Sequence, residues 1–242
     1  MLDGLKRFIS GKRAPTGTGW DDVALWAEQR QYPFRSVPGE GFVIDGRAAG
    51  TDWRLEWGPS QRSYVQGAEL RLRAELPVSS ALQLVVMNRV LQESMEKAMF
   101  EQAVESVQTR IDNATPPETR WLVMFPKLPG VDMGVLRENF VAVSSMRTWL
   151  AMWLLGPLST ALVATAADAA APVVLMVGRG RLTLRTALPT PDVAGLQPWL
   201  RLFETAIREA RRVASDKPAQ AAEPESSSAF PASALPEEER KA

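Results

Sequence analysis

Along this chain the spacing of apolar residues changes period several times, and each change marks an element. Residues 20–31 carry Val23 and Trp26 three apart, on a face shared with Arg30. Asp21 and Asp22 sit where a helix N-terminus favours acids, and Pro33 stops the pattern, so a helix is predicted. The period then falls to two. Phe42 to Arg47 reads as a strand, and Ala48-Ala49-Gly50 as a turn. In 52–57, Trp53, Leu55 and Trp57 alternate with Asp52, Arg54 and Glu56; in 68–75, Ala68, Leu70, Leu72 and Ala74 alternate with Glu69, Arg71, Arg73 and Glu75. Such alternation predicts antiparallel strands with one face in a core and one in water. It also fixes register, because a slip of one residue would bury the charged row. The connection 58–67 places Arg62 and Tyr64 at a loop tip.

Ala81 to Met87 reads as a more uniformly apolar strand. Asn88 can cap a following helix that runs to about Asp112. That helix shows one stripe at Phe100, Val104, Val107 and Ile111 and another at Leu91, Met95 and Met99, so cover from two directions is expected. Glu93 and Lys97 are spaced as a supporting pair. Pro116-Pro117 ends the segment. Arg120 to Phe125 reads as an apolar strand, Pro126 to Gly134 as a loop, and Asn139 to Ser144 as a strand. Pro172 to Val177 and Arg181 to Ala187 form a hairpin across Gly178-Arg179-Gly180. The last helix, Pro191 to Val213, has a stripe of Leu196, Trp199, Leu200, Phe203, Ile207 and Ala210, with Glu204 and Arg208 as a supporting pair.

Between Arg147 and Asp168 lie 20 uncharged residues, Thr148 to Ala167, the length of a membrane span. Gly156-Pro157 interrupts them, and Ser159, Thr160 and Thr165 dilute the second half. A buried helix pair broken at Gly156, with Pro157 in the first turn of the second helix, accounts for the same residues and is the expectation.

The sum is an α+β fold, antiparallel strands with interleaved helices packed on the sheet. The order of strands followed by a long helix occurs twice, which suggests similar halves at 20–113 and 118–213 within one domain over 20–213. Helix, strands, helix, strands, helix is similar to the layout of secretion-type chaperones, which implies a protein that holds a partner chain against a sheet. Residues 1–19 read as an amphipathic segment and linker. Leu2, Leu5, Phe8 and Ile9 lie among Lys6, Arg7, Lys12 and Arg13, which leaves peripheral membrane contact through 1–13 open, but a transmembrane or secretory role is not expected. Residues 214–242, rich in Ala, Pro, Ser and Glu, read as a disordered acidic tail with six acids and three basic residues.

Composition narrows the chemistry. The 242 residues include no Cys and no His. Thiolate and imidazole nucleophiles, bases and metal ligands are therefore absent, and no cofactor or metal is expected. Outside the tail 25 basic residues face 22 acidic ones, too even a balance for a nucleic-acid footprint. Gly178-Arg179-Gly180 lacks the third glycine of a dinucleotide fingerprint, since Thr183 stands there, and Gly17 and Gly19 lack the phosphate-loop lysine. Ser94 and Lys97 match an acyl-enzyme spacing without its companion motifs. Asp45 and Asp52 lie across a candidate hairpin and read as surface charges. Asn113-Ala114-Thr115 matches a glycosylation acceptor by coincidence.

Eight Trp are the least ordinary feature. Trp and Tyr line cores, but with Arg they also mark interfaces. Trp53, Trp57, Arg62, Tyr64, Trp149 and Trp153 are the candidate binding residues. The function expected is a non-catalytic cytoplasmic protein-interaction domain, chaperone- or adaptor-like, with a protein partner or self-association. Two alternatives stand beside it. One is a small-molecule or lipid-binding domain with an apolar pocket lined by Trp149, Met152 and Trp153. The other is an enzyme working with carboxylates, Lys and Arg.

Overall fold

The computed structural model describes residues 19–105, 115–165 and 171–216. The period-two segments form one antiparallel sheet. Its strands are β1 (Phe34–Val37), β2 (Gly41–Ala48), β3 (Thr51–Pro59), β4 (Ala68–Glu75), β5 (Leu84–Asn88), β6 (Phe140–Ser144), β7 (Val173–Gly178) and β8 (Arg181–Ala187). Their order across the sheet is β1-β2-β3-β4-β8-β7-β5-β6. The chain therefore weaves: β8 pairs with β4, and β5 lies between β7 and β6.

Alternation sorts the side chains onto two faces. The inner face carries Phe42, Ile44, Leu55, Leu70, Leu72, Leu84, Leu175 and Leu184, all buried. It is covered by α1 (Asp21–Gln29), α5 (Arg147–Leu154), α6 (Pro157–Thr165) and α7 (Val193–Asp216). The stripe Leu196, Leu200, Phe203, Ile207 and Ala210 of α7 lies in this core. The outer face has two parts. On β5, β6 and β7 it presents Val85, Met87, Val143, Val174 and Met176, packed against α2 (Arg89–Glu105) and α3 (Pro117–Met124). On β2, β3, β4 and β8 it presents charge.

One expected strand is a helix. Arg120 to Phe125 lies mostly in α3, with Pro116 at its N-cap and Pro117 in its first turn. An apolar run this short does not reveal its period; the two prolines set the dihedrals that start a helix. Burial of Glu118, Trp121 and Leu122 then follows helical spacing. β1 is an extra edge strand, joined to β2 by a turn in which Gly39 and Gly41 adopt positive φ. Gly41 is obligatory for a second reason: a Cβ there would stand 1.8 Å from the Trp57 carbonyl oxygen. The expected loop after Phe125 contains α4 (Gly130–Met133) and a 3₁₀ turn, Gly134–Leu136.

In α2 the buried side is Leu91, Gln92 and Met95, whereas Phe100 is 71% exposed. Of the stripe expected through Phe100, Phe100 itself is therefore not packed, and the Val104 side chain, Val107 and Ile111 lie outside the described residues. Lys97 faces Glu101 at 3.9 Å, one turn on, rather than the expected Glu93, and with Ser94 it lies on the exposed side. Asn88 ends β5 and reaches across to β7: its Oδ1 accepts from Val173 N at 3.0 Å. No helix among the described residues is long and apolar enough to cross a membrane by itself; α5 and α6 are bent by 74° at Gly156. Residues 1–18 and 217–242, which hold the expected N-terminal contact and most of the acidic tail, lie outside the described residues.

Candidate functional site: an arginine-lined cleft

The two parts of the outer face meet beside α3, and a cleft of about 390 Å³ opens at the junction. Period-two alternation aims Arg73 of β4 and Arg181, Thr183 and Arg185 of β8 into it. Arg62 enters from the β3–β4 connection, Arg179 from the β7–β8 turn, and Arg120 from α3. Trp121, Pro117 and Met176 supply its apolar wall. Trp121 lies against Gly178 so closely that a Cβ on that glycine would stand 2.5 Å from the ring. Six arginines and no carboxylate line the cleft.

Carboxylates flank the arginines, buried at Glu69 and exposed at Glu75. Register sets Arg71 directly opposite Arg185, a repulsive cross-strand pair on its own. Glu69, fully buried, is placed to offset it. It accepts from Arg185 Nη1 at 2.5 Å and from Gln61 N at 2.8 Å, and faces Arg71 at 3.4 Å. Glu56 pairs with Arg73, and Glu75 accepts from Arg181 Nε at 2.6 Å. Farther from the cleft, Asp45 accepts from Arg54 at 2.7 Å and holds that guanidinium above its ordinary value through the hydrogen bond and the nearby charge.

Glu118 ties the β3–β4 connection to α3. Arg62 Nε donates to its Oε1 at 2.5 Å, and the Tyr64 hydroxyl donates to the same oxygen at 2.6 Å. Burial pushes the Glu118 carboxyl up, but these two hydrogen bonds and the Arg62 charge outweigh it and hold it below its ordinary value. Burial, then the neighbouring Glu118 charge, push the Tyr64 phenol far above its ordinary value, so it remains a donor. Burial works against the Arg62 charge, yet Glu118 more than offsets it.

Not every donor is used. Arg185 is 9% exposed, and its Nε, like that of Arg120, is buried with no hydrogen-bond partner. An unsatisfied buried N–H costs roughly 1–3 kcal/mol, more when charged, so donors of this kind are suited to an acceptor brought by a ligand. The arrangement can bind anionic oxygens and desolvate them against Trp121. Among the described residues no group of three or more acids is placed to hold a metal ion.

The sequence-based candidates fall into three places. Arg62 and Tyr64 meet at Glu118, and Arg62 lines the cleft. Trp149 and Trp153 are in the inner core, their rings 5.5 Å apart, with the Trp153 indole N–H donating to Ala206 O at 3.0 Å. Trp53 is buried against Tyr32, and Trp57 is stacked on Phe42 with its N–H donating to Leu188 O at 2.8 Å. Trp57 also lines a second, mostly apolar recess of about 600 Å³ with Trp20 and Pro59. Sequence reading passed over Arg73, Arg120, Arg179, Arg181 and Arg185. The signal was Arg at alternate strand positions, but only the β4–β8 pairing brings the rows together.

No protein-family model matches the chain, and no curated protein matches its sequence. One solved structure is similar in shape, the crystal structure of the mycobacterial trehalose monomycolate transport factor A. Its identity is 10%, its TM-score is 0.45, and the match covers 82% of this chain and 95% of that one. A likeness of that degree carries no functional assignment.

Proposed function

We propose that this chain is a non-catalytic interaction domain that holds an acidic segment of a partner protein in the arginine-lined cleft, in the cytoplasmic setting expected from the sequence. The observation that carries this reading is six arginines around one recess with no carboxylate on its lining, two of them with buried Nε–H groups that have no partner. Arginine is the cation suited to carboxylates in partly buried sites, because its planar fork matches their oxygens. A duplex nucleic acid fits poorly: it needs an extended basic surface, and here Asp45, Glu56, Glu69 and Glu75 interleave with the arginines on the rest of the outer face.

The test is the binding of a short, fluorescein-labelled Glu-rich peptide, read by anisotropy. Affinity is expected to fall as salt rises. The double change Arg120→Gln/Arg179→Gln removes two cleft cations and is expected to weaken binding about tenfold or more, about 1.4 kcal/mol. Arg201→Gln, on exposed α7 surface, is the control. Equal binding by all three proteins would sink the proposal.

A second reading rests on the recess between Trp20 and Trp57. An apolar small molecule would bind there, as in the Trp-lined pocket expected from sequence, though at a different pair of indoles. Quenching of Trp fluorescence by an apolar probe, lost in Trp57→Phe, would favour it.

A further inference from the structure

The charge balance of the cleft narrows the kind of anion it takes. Four of its six arginines face carboxylates: Arg62 faces Glu118, Arg73 faces Glu56, Arg181 faces Glu75, and Arg185 faces Glu69. Arg120 and Arg179 meet no carboxylate among the described residues. The lining thus carries an excess of about two positive charges. Arg71, shared between Glu56 and Glu69 behind the lining, adds to that excess. One carboxylate neutralises one charge. A phosphomonoester carries about −1.5 to −2 at neutral pH and offers three strong acceptor oxygens.

The unspent donors fit the same anion. Arg185 is nine-tenths buried, with Nη1 committed to Glu69 and Nε left without an acceptor. Arg120 Nε is likewise buried and unpartnered, on a different element, α3. Arg120 and Arg185 line the cleft from separate walls, and guanidinium groups on two sides suit an anion with three acceptor oxygens better than one with two. Trp121, Pro117 and Met176 leave apolar contact for whatever carries the phosphate.

We infer that the cleft is a binding site for a phosphomonoester dianion, carried on a phosphorylated side chain of the partner segment or presented as a free phosphomonoester. This rests on the reading of the cleft as the site that takes an anionic partner.

The experiment is calorimetric titration of the full chain with four probes. They are a phosphoserine peptide, the same peptide with Glu at that position, the same peptide with Ser, and free O-phosphoserine. The phosphoserine peptide is expected to bind at least about tenfold tighter than the Glu peptide. Its affinity is expected to rise as pH increases through about 6, where the second phosphate proton leaves. Arg179→Gln, at an exposed turn position, is expected to remove most of that preference; Arg120→Gln, its fold checked by amide dispersion, should do the same. Tight binding of free O-phosphoserine assigns the site to free phosphomonoesters, and tight binding of the phosphopeptide alone assigns it to a phosphorylated partner. Equal binding of the phosphoserine and Glu peptides, with no change through pH 6, overturns this inference and leaves the acidic-segment reading standing. Binding of none of the four overturns both.

Discussion

Glu118 is the residue at which an exposed loop becomes one wall of the arginine-lined cleft. Its carboxylate is fully buried and takes Arg62 and Tyr64 on one oxygen. Neither contact is legible in the sequence: Arg62 and Tyr64 stand out as loop-tip residues, but Glu118 lies 54 residues beyond Tyr64, in a helix of which Arg120 onward reads as a strand. Glu118→Ala leaves Arg62, itself only partly buried, and Tyr64 without their partner and is expected to cost about 1–3 kcal/mol in denaturant unfolding. A cost below 1 kcal/mol, on the order of an exposed pair, would contradict the tie. The sign of the pH dependence follows from the lowered carboxyl. The stabilisation is present above its unfolded value of 4.5 and is lost as pH falls through the lower folded one. Unfolding at decreasing pH is therefore expected to show an acid loss that shrinks in Glu118→Gln. Gly178 works by absence of a side chain. Gly178→Ala drives a methyl to 2.5 Å from Trp121 and is expected to cost about 1–3 kcal/mol as α3 shifts.

At the scale of elements, the sequence is legible where the period is long and clean. The alternation in β3 and β4 and the stripe of α7 appear as expected, because one face of each meets a core and the other meets water. It misleads where the segment is short. Trp121-Leu122-Val123-Met124-Phe125 has no readable period, and the helix is decided by Pro116-Pro117 and by the space over Gly178. The uncharged run is taken up as far as Thr165 by the helix pair α5 and α6, which buries Trp149, Trp153, Leu158 and Leu162. Trp153 joins this pair to α7 through its bond to Ala206 O. Trp153→Phe is expected to cost about 1 kcal/mol for that bond, plus a packing loss, seen as a lower unfolding midpoint. No change in midpoint would place the indole outside the core.

For the whole molecule, the weave of the sheet is what the sequence conceals. Arg71 and Arg73 lie more than a hundred residues before Arg181 and Arg185, yet register makes them neighbours. Composition gave no hint, since near-neutral overall charge hides a local cluster. The weave also governs how the chain divides. β4 needs β8, and β5 needs β6 and β7, all from the later stretch. A fragment of residues 19–113 is therefore expected to lack dispersed amide resonances. A folded fragment would show that the earlier stretch stands alone.

Whether this protein binds its partner through the arginine-lined cleft is decided by mapping on the isotope-labelled full chain. An acidic peptide, Glu-rich or phosphoserine-containing, is titrated in while backbone, indole and arginine Nε–H resonances are followed. Binding in the cleft is expected to shift Arg185 and Arg120 Nε–H, the Trp121 indole and the Gly178 amide together. Shifts confined to Trp20 and Trp57, with the cleft silent, would contradict it.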